Sequence, residues 1–525
     1  MDFHRTRNTL LPKLKLKETS IQLVETHKFL GLILDSKLNF LPHIKYIKTK
    51  CQKSLNLLRT LASTEWGSNK DQLLKIYRTT VRPILDYGSI IYGSAPKSYL
   101  KMLEPIQNQA LRLCLGAFRT TNAHSLHVEA NEPPLEIRRQ TLSLNYLSKS
   151  MSTPRNSTTR TILKSQRLKS HYDNRKKSTP SLSEPYGLRN LDAANKLNIN
   201  TSSVKEIINP PSIPPWERHQ CKVILDLSKT PKSESNPISH KESFYNIKQN
   251  FVDHVEMYTD GSMNETGVAA GMVAYWKHKK ITETSKRLPD KSSIFSAEAR
   301  AIQMALSYIA TYNQKNYIIY SDSLSCLQAI KSTEHRNPAI SHIQAQIHNL
   351  IVNGKRITLC WIPGHVGIKG NEEADNIAKR GISKPIYTEP IPSQDYKPHI
   401  RNHTNKIWQS EWDKQTTNKL RKIKQNINCK QYKYPLKRRE QVVLTRCRLG
   451  HTYITHNYLL KGSPPPECTD CQQTLTVEHI LTNCRKLTPI RNKYFTHQNL
   501  PSLFEHTEPK TIINYLKEIE IYQSI

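Results

Sequence analysis

Val255-Glu-Met-Tyr-Thr-Asp260-Gly-Ser262 carries an apolar run of β-forming residues into an aspartate, and Gly261 and Ser262 then let the backbone turn. A strand of this kind presents a carboxylate at its exposed end. Gly267-Val-Ala-Ala-Gly271-Met-Val-Ala-Tyr275 reads as its hairpin partner, and Gly267 and Gly271 point to a close backbone approach there. Three more acids stand in similarly marked places: Glu298 on an alanine-rich helix, Asp322 after an apolar strand, and Asp375 at a helix start.

Ser296-Ala-Glu298-Ala-Arg-Ala-Ile-Gln-Met-Ala-Leu306 predicts a helix with Ser296 as its N-cap. Tyr317-Ile-Ile-Tyr-Ser-Asp322 predicts a buried strand, with a helix following through Ile330. Arg356-Ile-Thr-Leu-Cys-Trp-Ile362 predicts another, leading through Pro363-Gly364-His365 and a Gly-rich loop into a helix that carries Asp375 and Ala378. The order βββαβαβα implies an α/β domain, a mixed five-stranded sheet with helices on both faces. Strand ends and helix starts are where such folds collect polar groups.

Each acid alone has an ordinary structural explanation. Asp before Gly is usually a turn residue, Glu in a helix usually faces solvent, and Asp near a helix start usually caps it. Glu298 departs from this pattern, because Ala297, Ala299 and Ala301 imply a helix packed closely on something. Four acids gathered together would repel one another unless cations filled the gap. Two Mg²⁺ ions, or Mn²⁺, about 3.5–4 Å apart and bridged by carboxylates form a common site for in-line phosphodiester cleavage.

Thr259-Asp-Gly-Ser262, the Ala-Glu298-Ala helix, Ser321-Asp322-Ser323 and Trp361-Ile-Pro-Gly-His365-Val-Gly-Ile-Lys-Gly-Asn371-Glu-Glu-Ala-Asp375 together resemble ribonuclease H type 1. The resemblance covers residues 251–384. It implies cleavage of the RNA strand of RNA–DNA hybrids, with Asp260, Glu298, Asp322 and Asp375 as metal-binding catalytic acids. It implies for His365 a role in proton transfer or product release. Ser262, Ser323 and Asn371 lie nearer the surface in this reading, touching the RNA backbone or bracing the acids. Contacts to 2′-hydroxyls would separate RNA from DNA.

Charge divides the chain unevenly. Residues 254–383 hold 15 basic and 11 acidic side chains, whereas the remainder holds 63 against 32. The acid-bearing segment is nearly balanced, so attraction to a polyanion rests on the flanks, whose Lys and Arg bind phosphate by displacing counterions. No stretch approaches the roughly 18 apolar residues of a membrane helix, and Met-Asp-Phe-His-Arg lacks the apolar core of a secretory signal. The 10 cysteines are scattered apart from Cys468 and Cys471, which favours reduced thiols and an intracellular protein, nucleus and cytoplasm being indistinguishable.

In residues 1–150, Ser20–Val24 and Phe29–Leu34 predict short strands. Ile44, Ile47, Cys51, Leu55, Leu58 and Leu61 predict one helix face; a second helix runs from Lys70 to Tyr77 and bends near Pro83; a third buries Ile106, Ala110, Leu113 and Ala117. Lys28-Phe-Leu-Gly-Leu-Ile-Leu-Asp35, then Val81-Arg-Pro-Ile-Leu-Asp-Tyr-Gly88, resembles the end of the reverse transcriptase domain of non-LTR retrotransposons, its last strand pair and helical thumb. No Asp-Asp pair occurs, so the chain is expected to begin after the polymerase site, and polymerase activity is not predicted. Residues 151–250 read as a basic, Pro/Ser-rich, largely disordered linker with isolated elements such as Val223–Leu227.

In residues 400–525, Trp408 and Trp412 at i,i+4 read as core anchors of a basic helix. Cys468-x2-Cys471-x7-His479-x4-Cys484 offers three thiols and an imidazole, a complete tetrahedral set for a structural Zn²⁺. The segment resembles the tail of jockey-like retrotransposon polyproteins, where this set follows Arg448-Leu-Gly-His-Thr452. The sequence thus predicts a Mg²⁺-dependent ribonuclease H within a retrotransposon-derived polyprotein, its partners an RNA–DNA hybrid, nucleic-acid backbone and a separate reverse transcriptase portion, with no membrane. The alternatives are a non-catalytic nucleic-acid-binding relic and a scaffold that binds partners through the thumb-like helices.

Overall fold

The structure, a computed structural model, describes residues 15–153, 170, 174, 186–200, 202–207, 214, 216–217, 219–229, 236–332, 337–428, 435–496 and 499–525. Most of residues 148–181 and 210–215 lies outside the described residues. The chain divides into two compact units: residues 144–165 with 191–400, and residues 1–143 with 166–190 and 401–525. Among the described residues no helix is long and apolar enough to cross a membrane.

The first of these units is built on one sheet. In chain order it holds β1 (Lys222–Ile224), α1 (Pro237–Lys248), β2 (Val255–Asn264), β3 (Gly267–Trp276), β4 (Lys279–Leu288) and α2 (Ile294–Thr311). Then follow β5 (Asn316–Ser321), α3 (Leu324–Lys331), α4 (Pro338–Val352), β6 (Arg356–Trp361) and α5 (Lys369–Gly381). The strands join as β1-β6-β5-β2-β3-β4 in a six-stranded sheet, not the five expected. The additional strand comes from the stretch expected to be largely disordered: Lys222, Val223 and Ile224 run parallel beside Thr358, Leu359 and Cys360 at the sheet edge. The sequence predicts an isolated element at Val223–Leu227, but three residues carry too little periodicity to show that they join the sheet. The unfilled edge of β6 supplies the hydrogen bonds that hold them.

The sheet is mixed, with β6-β5-β2 parallel and β2-β3-β4 antiparallel. Strand side chains alternate between faces, so Asp260 and Gly271, opposed across β2 and β3, open on one face and Gly261 on the other. Helix α5 packs on the first face, where a Cβ on Gly271 would stand 2.5 Å from the Ala378 amide nitrogen. Helix α2 packs on the second, where a Cβ on Gly261 would stand 2.7 Å from the Glu298 nitrogen. Both faces are therefore covered, as the element order implies. Ser293 caps α2, its hydroxyl accepting from the Ser296 amide at 3.2 Å. The helix thus begins a turn before the expected cap, and Ser296 lies inside it.

The second unit is helical. Thr26–Phe29 and Leu32–Asp35 pair as a hairpin, so the strand expected over residues 29–34 is broken by a turn at Leu30 (φ 45°) and Gly31 (φ 81°). Asp35 then accepts from the Asn39 and Phe40 amides at 3.0 and 2.6 Å, folding the chain into helix Leu41–Leu61. That helix buries Ile44, Ile47, Cys51, Leu55 and Leu58 as the periodicity predicts. Helix Lys70–Ile76 passes through a widened turn, Tyr77–Val81, into Arg82–Asp86, where Pro83 removes one amide donor. Helix Glu104–Leu115 buries Ile106 and Ala110, while Ala117 is buried beyond its end.

One core serves both ends of the sequence. Trp408, Trp412, Leu420, Ile427 and Leu449 are buried with Ile44, Leu55, Leu73 and Leu111 in a single cluster. Arg438 donates to the Leu113 and Cys114 carbonyls at 2.9 and 2.8 Å, satisfying acceptors that the end of helix Glu104–Leu115 leaves open. Glu129, buried, pairs with Arg448 at 3.1 Å. The described parts of residues 15–143 and 401–525, far apart in sequence, are thus one folded body, interrupted in sequence by the sheet-containing unit.

Candidate active site

Strand register brings the first two acids together. Thr259 on β2 lies beside Ser321 on its parallel neighbour β5, so the following residues, Asp260 and Asp322, emerge side by side. Gly261 lets α2 descend onto β2, which delivers Glu298 to the same place. One carboxylate oxygen from each of Asp260, Glu298 and Asp322 lies within 4.8 Å of the others. Asp260 and Glu298 are only 5% and 7% exposed.

Like charges crowd this cluster. Burial, then the charges of Asp322 and Asp375, push the Asp260 carboxyl up to about 7. Burial, then Asp260 and Asp322, raise Glu298 well above the usual carboxylate range. Among the described residues Glu298 Oε2 is buried without a hydrogen-bond partner. Three crowded acids with an orphaned oxygen fit a divalent cation, which takes oxygen ligands and relieves their repulsion.

Neighbouring groups orient the acids. The Gly261 amide donates to Asp260 Oδ1 at 2.7 Å. Asn371 Nδ2 donates to Asp322 Oδ2 at 3.4 Å, and the Trp361 indole donates to the Asp322 carbonyl at 3.0 Å. Asn371 is 2% exposed, so it braces Asp322 from the interior rather than standing near the surface as expected. A Cβ on Gly364 would stand 2.3 Å from Asp322 Oδ2, so only glycine lets the carboxylate lie against that loop. The next residue, His365, is exposed and holds a left-handed backbone, φ 57°.

Asp375 stands apart from the three-acid group. Its Oδ2 accepts from Lys379 Nζ at 2.6 Å, one helical turn along α5, and its charge still raises Asp260. Sequence reasoning missed Trp361, Gly364 and Lys379 as supporting residues. The i,i+4 spacing of Asp375 and Lys379 was a usable signal; the other two stand in the motif quoted above, but they act on Asp322 across the fold, so their roles were not legible.

A second cluster lies in the helical unit. Cys468, Cys471, His479 and Cys484 present ligand atoms all within 4.8 Å of one another. Cys484 Sγ is 3.9 Å from each of the other two sulfurs, close to the ~3.8 Å that tetrahedral geometry gives for Zn–S bonds of about 2.3 Å. His479 begins a short widened helical turn, His479–Asn483, and its carbonyl accepts from the Cys484 amide. His479 Nε2 is buried and unpartnered among the described residues. The Cys468 thiol is drawn down to about 6, chiefly by the His479 side chain and then by the Cys471 and Asp470 amides. All described cysteines are free of disulfides. Three thiols and an imidazole gathered in this way fit a soft divalent cation.

Comparison with known proteins locates the sheet-containing unit. The RNase H family model matches residues 253–383, and with the topology above this segment is an RNase H-like α/β domain. Human ribonuclease H1 is 28% identical over 146 residues, 25% of this chain and 51% of that protein, so the chain spans about half the length of that curated relative. Among solved structures, RNase H1 from the archaeon Halobacterium salinarum NRC-1 shares 18% identity with a TM-score of 0.22, covering 25% of this chain and 97% of that one. LC11-RNase H1, isolated from compost and crystallised with an RNA/DNA hybrid, shares 16% identity with a TM-score of 0.21, covering 25% of this chain and 99% of that one.

Proposed function

We propose that this chain cleaves the RNA strand of RNA–DNA hybrids by Mg²⁺-dependent hydrolysis, leaving 3′-hydroxyl and 5′-phosphate ends. The observation that carries the proposal is the convergence of Asp260, Glu298 and Asp322, their oxygens within 4.8 Å, where the parallel pairing of β2 and β5 ends. The match of residues 253–383 to the RNase H family and the likeness to human ribonuclease H1 support it.

Asp260, Glu298 and Asp322, with Asp375 alongside, would hold the cations. Bound there, divalent ions would act as Lewis acids toward the scissile phosphate. The protein's own groups set the geometry: the Gly261 amide fixes Asp260, and Asn371 and the glycine at 364 fix Asp322. His365, exposed on its loop, would exchange a proton with the departing product. The test is the Asp322→Asn variant of the full chain. It is expected to bind labelled hybrid as the native protein does while losing at least ~10³-fold in cleavage; undiminished cleavage overturns the assignment.

The proposal extends to the flanks. The basic segments would hold nucleic-acid backbone, and the helical unit would hold a structural Zn²⁺ through Cys468, Cys471, His479 and Cys484, supported by their proximity and the orphaned imidazole nitrogen. The thumb-like pattern over residues 28–88 supports an origin in a non-LTR retrotransposon polyprotein, acting inside the cell beside a separate reverse transcriptase portion.

A further inference from the structure

We infer that Lys241, which precedes the family-matched segment, is a phosphate-binding residue for the hybrid at the edge of the candidate active site. The inference rests on the nuclease reading above and deepens it by adding a contact to the substrate backbone.

Helix α1 is fixed to the strands that carry the acids. Phe244, 1% exposed, sets its ring edge-on to Tyr320 of β5 at 5.3 Å. Lys248, on the same helix, pairs with Glu256 of β2 at 2.6 Å. Lys241 lies three residues before Phe244, on the same side of the helix. Its ammonium stands 3.5 Å from where a side chain on Gly367 would begin. Gly367 (φ 82°) belongs to the loop that bears His365 and lays Gly364 against Asp322. The amine is thus held beside that loop by a helix packed on the catalytic sheet.

Charge gives the amine its role. Three lysines on this sheet and its helices are matched by acids: Lys379 with Asp375, Lys280 with Glu373, and Lys248 with Glu256. Among the described residues Lys241 has no ion pair or hydrogen-bond partner. A half-buried, unmatched ammonium at the rim of a site that accepts a polyanion is complementary to a phosphodiester. The family-matched segment is itself nearly neutral, so a cation contributed from outside it adds attraction where the acids repel the backbone.

The test uses the full chain with Lys241→Gln and Lys241→Arg, and two readouts across a salt series: cleavage of a labelled RNA–DNA hybrid in Mg²⁺, and binding of the same hybrid in EDTA. Lys241→Gln is expected to weaken binding and raise KM about 3- to 10-fold with kcat within about twofold, and to reduce the log–log salt slope by about 0.9. Lys241→Arg restores the slope. A Lys241→Gln protein with native KM, binding and salt slope overturns the inference, as does a loss confined to kcat, which would mark a loop-supporting role. Because binding is read without metal, absence of cleavage in every protein would overturn the nuclease reading and still leave the lysine decided by its salt slope.

Discussion

At the residue scale, carboxylates are held where they repel. Asp260 is raised to about 7 in the fold, against about 3.9 in an unfolded chain. Between those values the folded form binds the extra proton, so the contribution to stability is complete below about pH 4 and is lost as pH rises through about 7. Glu298 shifts in the same direction. In EDTA the RNase H-like unit should therefore melt at lower temperature at pH 8 than at pH 5, and Mg²⁺ should restore most of the loss. Asp260→Asn removes the main repulsion and is expected to stabilise the metal-free unit at pH 8 by ~1–3 kcal/mol while abolishing cleavage. A melting temperature that is flat with pH would contradict the clustering. Asp322 and Glu298 were legible in the sequence, one following a strand and the other on a patterned helix. Asp260 was also singled out, but it does not stand at a strand end: its strand runs on through Gly261 and Ser262 to Asn264, and only the pairing with β5 stops at Thr259. The mutual distance of the three was not legible, since it depends on register between β2 and β5 and on the absent side chain of Gly261.

At the element scale, glycines decide how closely the helices and the histidine loop reach the sheet. The close approach expected at Gly271 is observed, since a Cβ there would meet the α5 backbone at 2.5 Å. The equivalent role of Gly364 was hidden, since a Pro-Gly-His turn does not state what lies beneath it. Gly364→Ala should push the Asp322 carboxylate off its position and reduce kcat by about 10²-fold with little loss of hybrid binding; native kcat in that variant would show that the loop does not set the acid. The N-cap was misplaced by a turn because Ser293 and Ser296 are both plausible on sequence, and only Ser293 has extended backbone, ψ 161°. The sixth strand was legible only in part. An isolated element was expected at Val223–Leu227, but its joining the sheet was not, because Lys222–Ile224 gain their order from β6 across the fold.

At the scale of the whole molecule, the pattern of short-range signals could not show that the two ends of the chain share a core. Trp408 and Trp412 read correctly as core anchors, yet their partners, Leu55 and Leu111 among them, lie some 300 residues earlier in the chain. The Cys-His cluster belongs to this helical unit, so loss of a bound Zn²⁺ should be felt there. A strong chelator, or Cys484→Ser, is expected to lower the melting temperature of the helical unit and leave that of the RNase H-like unit nearly unchanged. Equal stability with and without chelator would remove the metal from that site. The most direct test of the central claim is cleavage of a hybrid labelled separately on its RNA and DNA strands by the purified full chain. The expected result is RNA fragments ending in 3′-hydroxyls with Mg²⁺ present, an intact DNA strand, and no cutting in EDTA or by Asp260→Asn. Hybrid that is bound yet keeps its RNA whole in both Mg²⁺ and Mn²⁺ would contradict it.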